Sequence, residues 1–595
     1  MRRAIVLLMS LLLGCTSLVA QDKDVVVKAM KDEMARSIEK LRLSDLDKPY
    51  FIVYRVSDEK STSINATLGA LTQSQTSKSR EMSTDVKAGS YELDDSNFVN
   101  TQELGARMRN VTGHMSSVTV DDDYQQIRRA LWHATDSEYK DAAEKLASKR
   151  SVLLNRQGTK QLPDFEKEPA VEFTEARTEL KIDVPALQEF VRKASAEFRS
   201  DPNVLNSSVG IVIRQRYVRY LNSEGTLIIR NEPMITFAAQ GSAQANDGVP
   251  LTVTMIEFAR GVEQLDQPKL LEKVKHMASR LSAMRMAQSL DRYNGPVLFE
   301  GQAAGELIAQ VFAPAVIAAR FPVSDQPQFE STLRQYLTQL GGTSLGDRLG
   351  AKVMPEFLDV VDRPREKQVN GVPLLGFSMY DDQGVETRDT KIVEHGVLKA
   401  MLADRTPSAE AAATTGSAHG LGAAPSNLFV TARNAKTPAE MRKQLLEMAK
   451  MRGFDYGIVV RDVGFAGLSW VRRMNAMADN NGAGALSGSE IFKVYADGRE
   501  EQIRDIELAA VTTASLKDIV AAGNDPTLHQ SPFIPMMGAI LAMASGSGPG
   551  GDVEHVSSFV VPSLLVDDLS LKHSETPAPN GPTVPSPMLQ ETASK

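Results

Sequence analysis

The chain has 595 residues, 67 Lys plus Arg against 75 Asp plus Glu, 42% apolar and 24% charged residues, and one cysteine, enough length for several domains and a large core. The first twenty residues hold two arginines and no acid, so without them the net charge moves from −8 to −10, a poor match to phosphate backbones that argues against nucleic-acid binding. One Cys also excludes a disulfide framework, a Cys-based zinc site and an iron–sulfur cluster within one chain.

Arg2 and Arg3 precede the apolar run Ala4 to Leu13, the pattern of an export signal. Two processing routes fit it. Leu12-Leu13-Gly14-Cys15 resembles a lipobox, which would make residues 1–14 a lipoprotein signal and lipidate Cys15. Ser17-Leu18-Val19-Ala20 before Gln21 offers ordinary cleavage between Ala20 and Gln21, the favoured reading because Leu18 and Val19 prolong the apolar region past Cys15. Either route predicts an exported protein, periplasmic or lipid-anchored in the envelope. No later run reaches the roughly 18 apolar residues of a membrane-spanning helix. Phe533 to Ala544 comes nearest and, with Pro535 and Gly538, reads as a flexible apolar loop.

Pro49 to Val56 reads as a strand before a polar Ser and Thr-rich region. Tyr124, Ile127, Leu131 and Ala134 recur at helical spacing, with the helix continuing through Lys149. Residues 155–170 read as a linker. Asp183 and Pro185 then open a helix with Leu187, Phe190, Val191, Ala194 and Phe198 on one face. Ile211 to Tyr220 and Thr226 to Arg230 flank Asn222-Ser223-Glu224-Gly225 as a β-hairpin. Leu270, Val274, Met277, Leu281 and Met284 mark a long helix whose methionines read as core rather than metal ligands.

A strand Val297 to Phe299 and a helix with Ala304, Leu307, Ile308 and Val311 on one side follow. Phe377 to Tyr380, the turn Asp381-Asp382-Gln383-Gly384 and two runs joined at Glu394-His395-Gly396 read as a meander of hairpins. Thr437-Pro438-Ala439-Glu440 is a capping box for a helix ending near Gly453. A hairpin turns at Asp497-Gly498, and Thr512 or Thr513 could cap a helix through Val520. The predicted fold class is α+β with much antiparallel sheet. The expected layout is a signal over 1–20, an N-terminal α/β region over 21–292, a β-rich region over 293–572 and a disordered Pro, Ser and Thr-rich tail over 573–595.

Four stretches, in this order, resemble the TldD/PmbA family, also called modulator of DNA gyrase or peptidase U62. They are Tyr220 to Thr226, Gly295 to Phe299, Tyr380 to Val385 continuing through Glu394 to Lys399, and Pro562 to Val566. The resemblance covers about residues 45–572. It implies an N-terminal α/β domain, a β-rich C-terminal domain, and dimers enclosing a chamber where active members act as zinc peptidases on small or unfolded peptides.

TldD-type subunits in that family bind zinc through a helical HExxxH motif and a distant C-terminal cysteine. The matching helix here, Ala303 to Ala313, has no histidine, and Cys15 lies in the leader. Alanine, isoleucine and valine offer zinc no lone pair. The resemblance is therefore closer to the metal-lacking TldE/PmbA-type subunit, with no cofactor expected in this chain and zinc expected in a partner. His114, His133, His276, His395, His419, His529, His555 and His573 form no HExxH or HxH pair. His395 reads as a hairpin tip, and His419 is the candidate peptide contact because the family's chamber-lining loops fall in its region. Asp381-Asp382 reads as a turn rather than an acid–base pair, and Glu306, the only acid on the degenerate helix, is not expected to be catalytic. The catalytic residues stay unknown.

Two functions remain open from sequence. One is a metal-lacking subunit of a peptide-degrading complex, as a homodimer or paired with a zinc-bearing TldD-like subunit. The other is a non-enzymatic envelope pseudo-peptidase that binds peptides or a protein partner, favoured by the export signal.

Overall fold

A computed structural model describes residues 24–43, 46–101, 116–156, 162–339, 345–464, 486–488, 490–509, 511–535 and 555–573. The leader with Cys15, Ala20 and Gln21, His114, the apolar stretch 536–544 and the tail 574–595 lie outside the described residues. Among the described residues, no helix is long and apolar enough to cross a membrane.

The N-terminal half is built on long antiparallel strands. β1 (Pro49–Thr67) pairs along its length with β2 (Ala70–Ala88) and, on its other side, with β3 (Val204–Asn222); β3 continues to β4 (Leu227–Gln244) and β4 to β5 (Pro250–Ala259). The predicted hairpin is the β3–β4 turn, where Asn222 Oδ1 accepts from the amides of Glu224 and Thr226 and Gly225 takes the positive φ that a side chain would resist. β1 is longer than its apolar signature, and β2 and β5 had no signature at all. Residues 71–77 of β2 are largely exposed, so their polar side chains never alternate with apolar ones.

Helices cover both faces of this sheet. α1 (Val25–Lys40), capped by the Asp24 carboxylate, and α2 (Tyr124–Leu154) bury Ile127, Leu131 and Tyr139 against Tyr54 and Val56 of β1. α3 (Val184–Ala196), capped by Asp183 as its sequence requires, and α4 (Gln267–Met284) pack Phe190, Val191, Val274, Met277 and Leu281 over Ile211 and Phe237 on the other side. The α4 methionines are core.

Among the described residues, the second half holds two further large sheets with one helix wedged between them. β6 (Arg292–Phe299) is followed by the short α5 (Gln302–Leu307), then α6 (Pro327–Gln339), β7 (Leu358–Asp362), β8 (Thr390–Glu394), β9 (Asn427–Ala432), α7 (Pro438–Met451), β10 (Tyr456–Asp462), β11 (Glu490–Tyr495), β12 (Glu500–Arg504), β13 (Ile519–Ala522), β14 (Thr527–Pro532), β15 (Val556–Val561) and β16 (Leu564–His573). One sheet runs β16–β6–β10–β11–β12 and the other β8–β7–β9–β15–β14. Their facing side chains, with Ala304, Leu307, Ile308 and Phe312, make the largest core. The whole is α+β, as expected.

α7 carries the full capping box, with Thr437 Oγ1 accepting from the Glu440 amide and the Glu440 carboxylate accepting from the Thr437 amide, and the 497–498 turn joins β11 to β12. The helix expected from Thr512 to Val520 does not form. Only Ser515–Asp518 makes a tight turn, and Ile519–Ala522 becomes β13 against β16, because a ready sheet edge outweighs a weak local cap. Phe377 to Tyr380 likewise forms no strand; Tyr380 makes a single bridge to Glu386.

The four resembling stretches meet in two places. Val297, Leu298 and Phe299 pair with Val566, Leu565 and Leu564, and the β3–β4 turn abuts the 381–384 turn: Tyr220 donates to the Gln383 carbonyl at 3.1 Å. Beside that contact Arg405, fully buried, bonds Glu224 at 2.7 Å and ties the halves together.

Candidate functional site

The helix after β6 is where the resemblance places metal ligands. Gly301, at φ 60, turns the chain into α5, and the next turn widens over Ile308–Phe312. Pro314 contributes to that widening, since it has no N–H for the Gln310 carbonyl. Residues 303–308 are buried on every side. Gly305 lies so close to β14 that a Cβ there would stand 2.6 Å from His529 Cβ.

Glu306 and Gln310 are the buried side chains of this segment that carry oxygen, and each is hydrogen-bonded. Glu306 accepts from the Val463 amide at 2.6 Å and from the Gln302 side chain at 3.1 Å. Burial, reinforced by the Asp462 carboxylate, pushes its pKa well above the usual range, which favours the neutral form. Gln310 donates to the Gly464 carbonyl at 3.1 Å. His529 is adjacent, its Nε2 buried without a partner and its pKa pulled down to about 4 by burial. The residues present do not fit zinc: the helix offers no imidazole or thiolate, both Glu306 oxygens are already hydrogen-bonded, and among the described residues no three His, Cys, Asp or Glu side chains are placed to share a metal ion.

A second polar centre lies about the 381–384 turn, between the N-terminal sheet and the C-terminal half. It is a cavity of about 150 Å³. β3 and β4 supply Arg216, Arg230 and Glu232 across one face: Glu232 binds Arg230 at 2.6 Å and Arg216 at 2.7 Å. The opposite wall comes from the turn. Asp381 is its structural half, accepting from the amides of Gln383, Val385 and Ala418, which agrees with a turn rather than a catalytic pair. Asp382 faces the cavity, bonded by Arg230 at 2.5 Å and by the Gly420 amide at 2.7 Å.

His419 reaches this cavity. It is 4% exposed, bonds Ser426 Oγ at 2.9 Å, and stacks on His555 with ring centroids 3.7 Å apart. Burial and the neighbouring His555 hold its pKa well below that of free imidazole, so it is neutral. His395, by contrast, is the exposed tip of its hairpin at φ 51, in contact with Arg433. His555, Arg230 and Arg260 had no local motif. The available signal was strand parity, which puts Arg214 and Arg216 on one face of β3, opposite Met234 and Glu232 of β4.

The fold is that of an α+β protein whose C-terminal region is metallopeptidase-related. Residues 292–573, a little under half of the chain, match the family described as PmbA/TldA metallopeptidase C-terminal domain, so that region is a domain of the TldD/PmbA family. A metalloprotease of Methanothermobacter thermautotrophicus is 21% identical over 344 residues, 58% of this chain and 68% of that protein. A zinc metalloprotease TldD homolog of Saccharolobus solfataricus is 32% identical over 101 residues, 17% of this chain and 20% of that one. Among solved structures, one from Thermotoga maritima named for modulation of DNA gyrase superposes with TM-score 0.56 at 17% identity, over 91% of this chain and 100% of that one. TldE from Thermococcus kodakarensis gives 0.53 at 13% identity, over 91% and 99%. At such identities the structural likeness establishes the fold.

Proposed function

We propose that this chain is an exported, metal-lacking subunit of a peptide-handling complex, in which a zinc-bearing relative supplies the hydrolytic centre. The observation that carries this reading is Glu306. On the helix where active relatives hold metal, the one acid is buried, pushed to its neutral form and bonded to Val463 and Gln302. Such a group neither ligates zinc nor activates a water. This chain's part is then structural and recognitional: it contributes chamber walls and a surface for peptides, with His419 as a contact.

The test is peptide hydrolysis by the purified mature chain, alone and after recovery with its partners from the native envelope fraction. Hydrolysis only in the recovered sample, with a zinc-bearing relative present, supports the subunit reading. Hydrolysis by the chain alone overturns it. Inactivity in both samples favours the second reading, a non-enzymatic envelope protein that binds peptides, which the leader-like residues 1–20 support.

A further inference from the structure

The cavity beside His419 has an unbalanced lining. Among the described residues, Arg55, Arg214, Arg216, Arg230 and Arg260 face it against Glu175, Glu232 and Asp382. His419 and His555 add no charge, since burial depresses both pKa values. The lining therefore carries more positive than negative groups. Glu232 and Asp382 are gathered around Arg216 and Arg230.

Arg260, at the end of β5, is held another way. Its Nη2 donates to the carbonyls of Leu375 at 2.5 Å and Phe377 at 3.3 Å, which fix the side chain without neutralising it. Its Nε is buried and has no acceptor. Burial lowers the guanidinium pKa, with Glu232 only partly opposing. A buried N–H of a cation left without an acceptor is costly, and an anion in the cavity beside the guanidinium would offset its charge.

The rest of the lining says which anion. Phe173, Ile228, Met234, Phe377 and Tyr380 make much of the wall, and an apolar wall suits a singly charged carboxylate on an apolar body better than a strongly hydrated phosphate. A volume of about 150 Å³ admits one residue-sized group. We infer that this cavity anchors the C-terminal carboxylate of a short peptide ending in an apolar side chain, with Arg260 as the specificity-determining residue. The inference rests on the peptide-handling reading and adds to it the end of the peptide that is recognised.

The experiment is calorimetric titration of the full mature chain with N-acetyl-leucine, N-acetyl-leucinamide, N-acetyl-alanyl-leucine and inorganic phosphate. The acids should bind at least about tenfold more tightly than the amide, the scale of one charge-assisted hydrogen bond. The dipeptide acid should bind more tightly than N-acetyl-leucine; equal affinity would assign the site to free apolar acids and overturn the peptide claim. Arg260→Gln should lower the acid's affinity by a similar factor and leave the amide's unchanged. The acid–amide comparison on the native chain stands even if that variant does not fold. Equal binding of acid and amide, no binding of either, or phosphate binding as tightly as the acids would overturn the inference. If the acids fail to bind while hydrolysis with a partner persists, the anchor is wrong and the subunit reading survives; acid binding without hydrolysis in any sample gives the converse.

Discussion

The sealed helix and the arginine-lined cavity bury polar groups under opposite rules. Around α5, Glu306 and Gln310 each find backbone partners, and the acid is neutral. In the cavity the polar groups are charged, cations outnumber anions in the lining, and Arg260 Nε has no acceptor. Apart from His529 Nε2, the first arrangement satisfies its own polar groups; the second, on the inference above, gains by taking up a ligand. Hydrogen bonds that close over buried polar groups leave little for a ligand to add, whereas an asymmetric polar lining keeps an imbalance that recognition can use.

Substitutions can break this contrast, and the largest effect is expected at the cavity wall. A Cβ at Gly376 would stand 1.9 Å from the Ser426 carbonyl oxygen, a backbone atom that cannot rotate away. Gly376→Ala should cost about 3 kcal/mol or more, read as a fall in thermal midpoint, together with loss of acid binding; an unchanged midpoint would mean that the two walls move independently.

His529 gives the next effect. Its folded pKa, near 4, lies below the roughly 6.5 of a free histidine. The unfolded chain therefore takes up a proton that the fold refuses. The stability that this accounts for is present above about pH 6.5 and declines as pH falls toward 4, by about 3 kcal/mol at most. His529→Leu should flatten that part of the stability–pH curve. An unaltered slope would show that His529 can be protonated in place, beside a more polar helix than described.

Glu306 sharpens the comparison further. Glu306→Ala leaves the Val463 amide without its acceptor and should cost about 2 kcal/mol. Glu306→Gln keeps a neutral acceptor and should stay within about 1 kcal/mol of the native chain. If Gln were as damaging as Ala, the carboxylate charge itself would matter and the neutral-acid account of the helix would fail.

How much of this could be read in advance depended on range. The α7 cap, the Asp183 cap and the Asn222 to Gly225 turn are set by residues within a few positions, and all three form where the sequence places them. β2 was hidden because much of it is exposed, and β13 because its partner β16 lies more than forty residues on. The helix without histidine was visible, but the neutrality of Glu306 was not, since it depends on Val463 and Asp462 from β10 and the loop that follows it. The cavity draws on β1, the β3–β4 hairpin, the end of β5 and the segments around 173–175, 375–382, 419 and 555–556, and of these only the hairpin is a motif in the sequence. His419 could be suspected from its place among family loops, whereas its partner His555 comes from far along the chain and meets it only in three dimensions.

The most direct measurement is zinc per chain by elemental analysis of the purified mature protein, after loading with zinc and exhaustive dialysis. The account predicts far less than one zinc per chain and no change in thermal midpoint on adding a chelator. One tightly held zinc per chain, with the midpoint falling when it is removed, would contradict the metal-lacking assignment and require ligands other than those of α5.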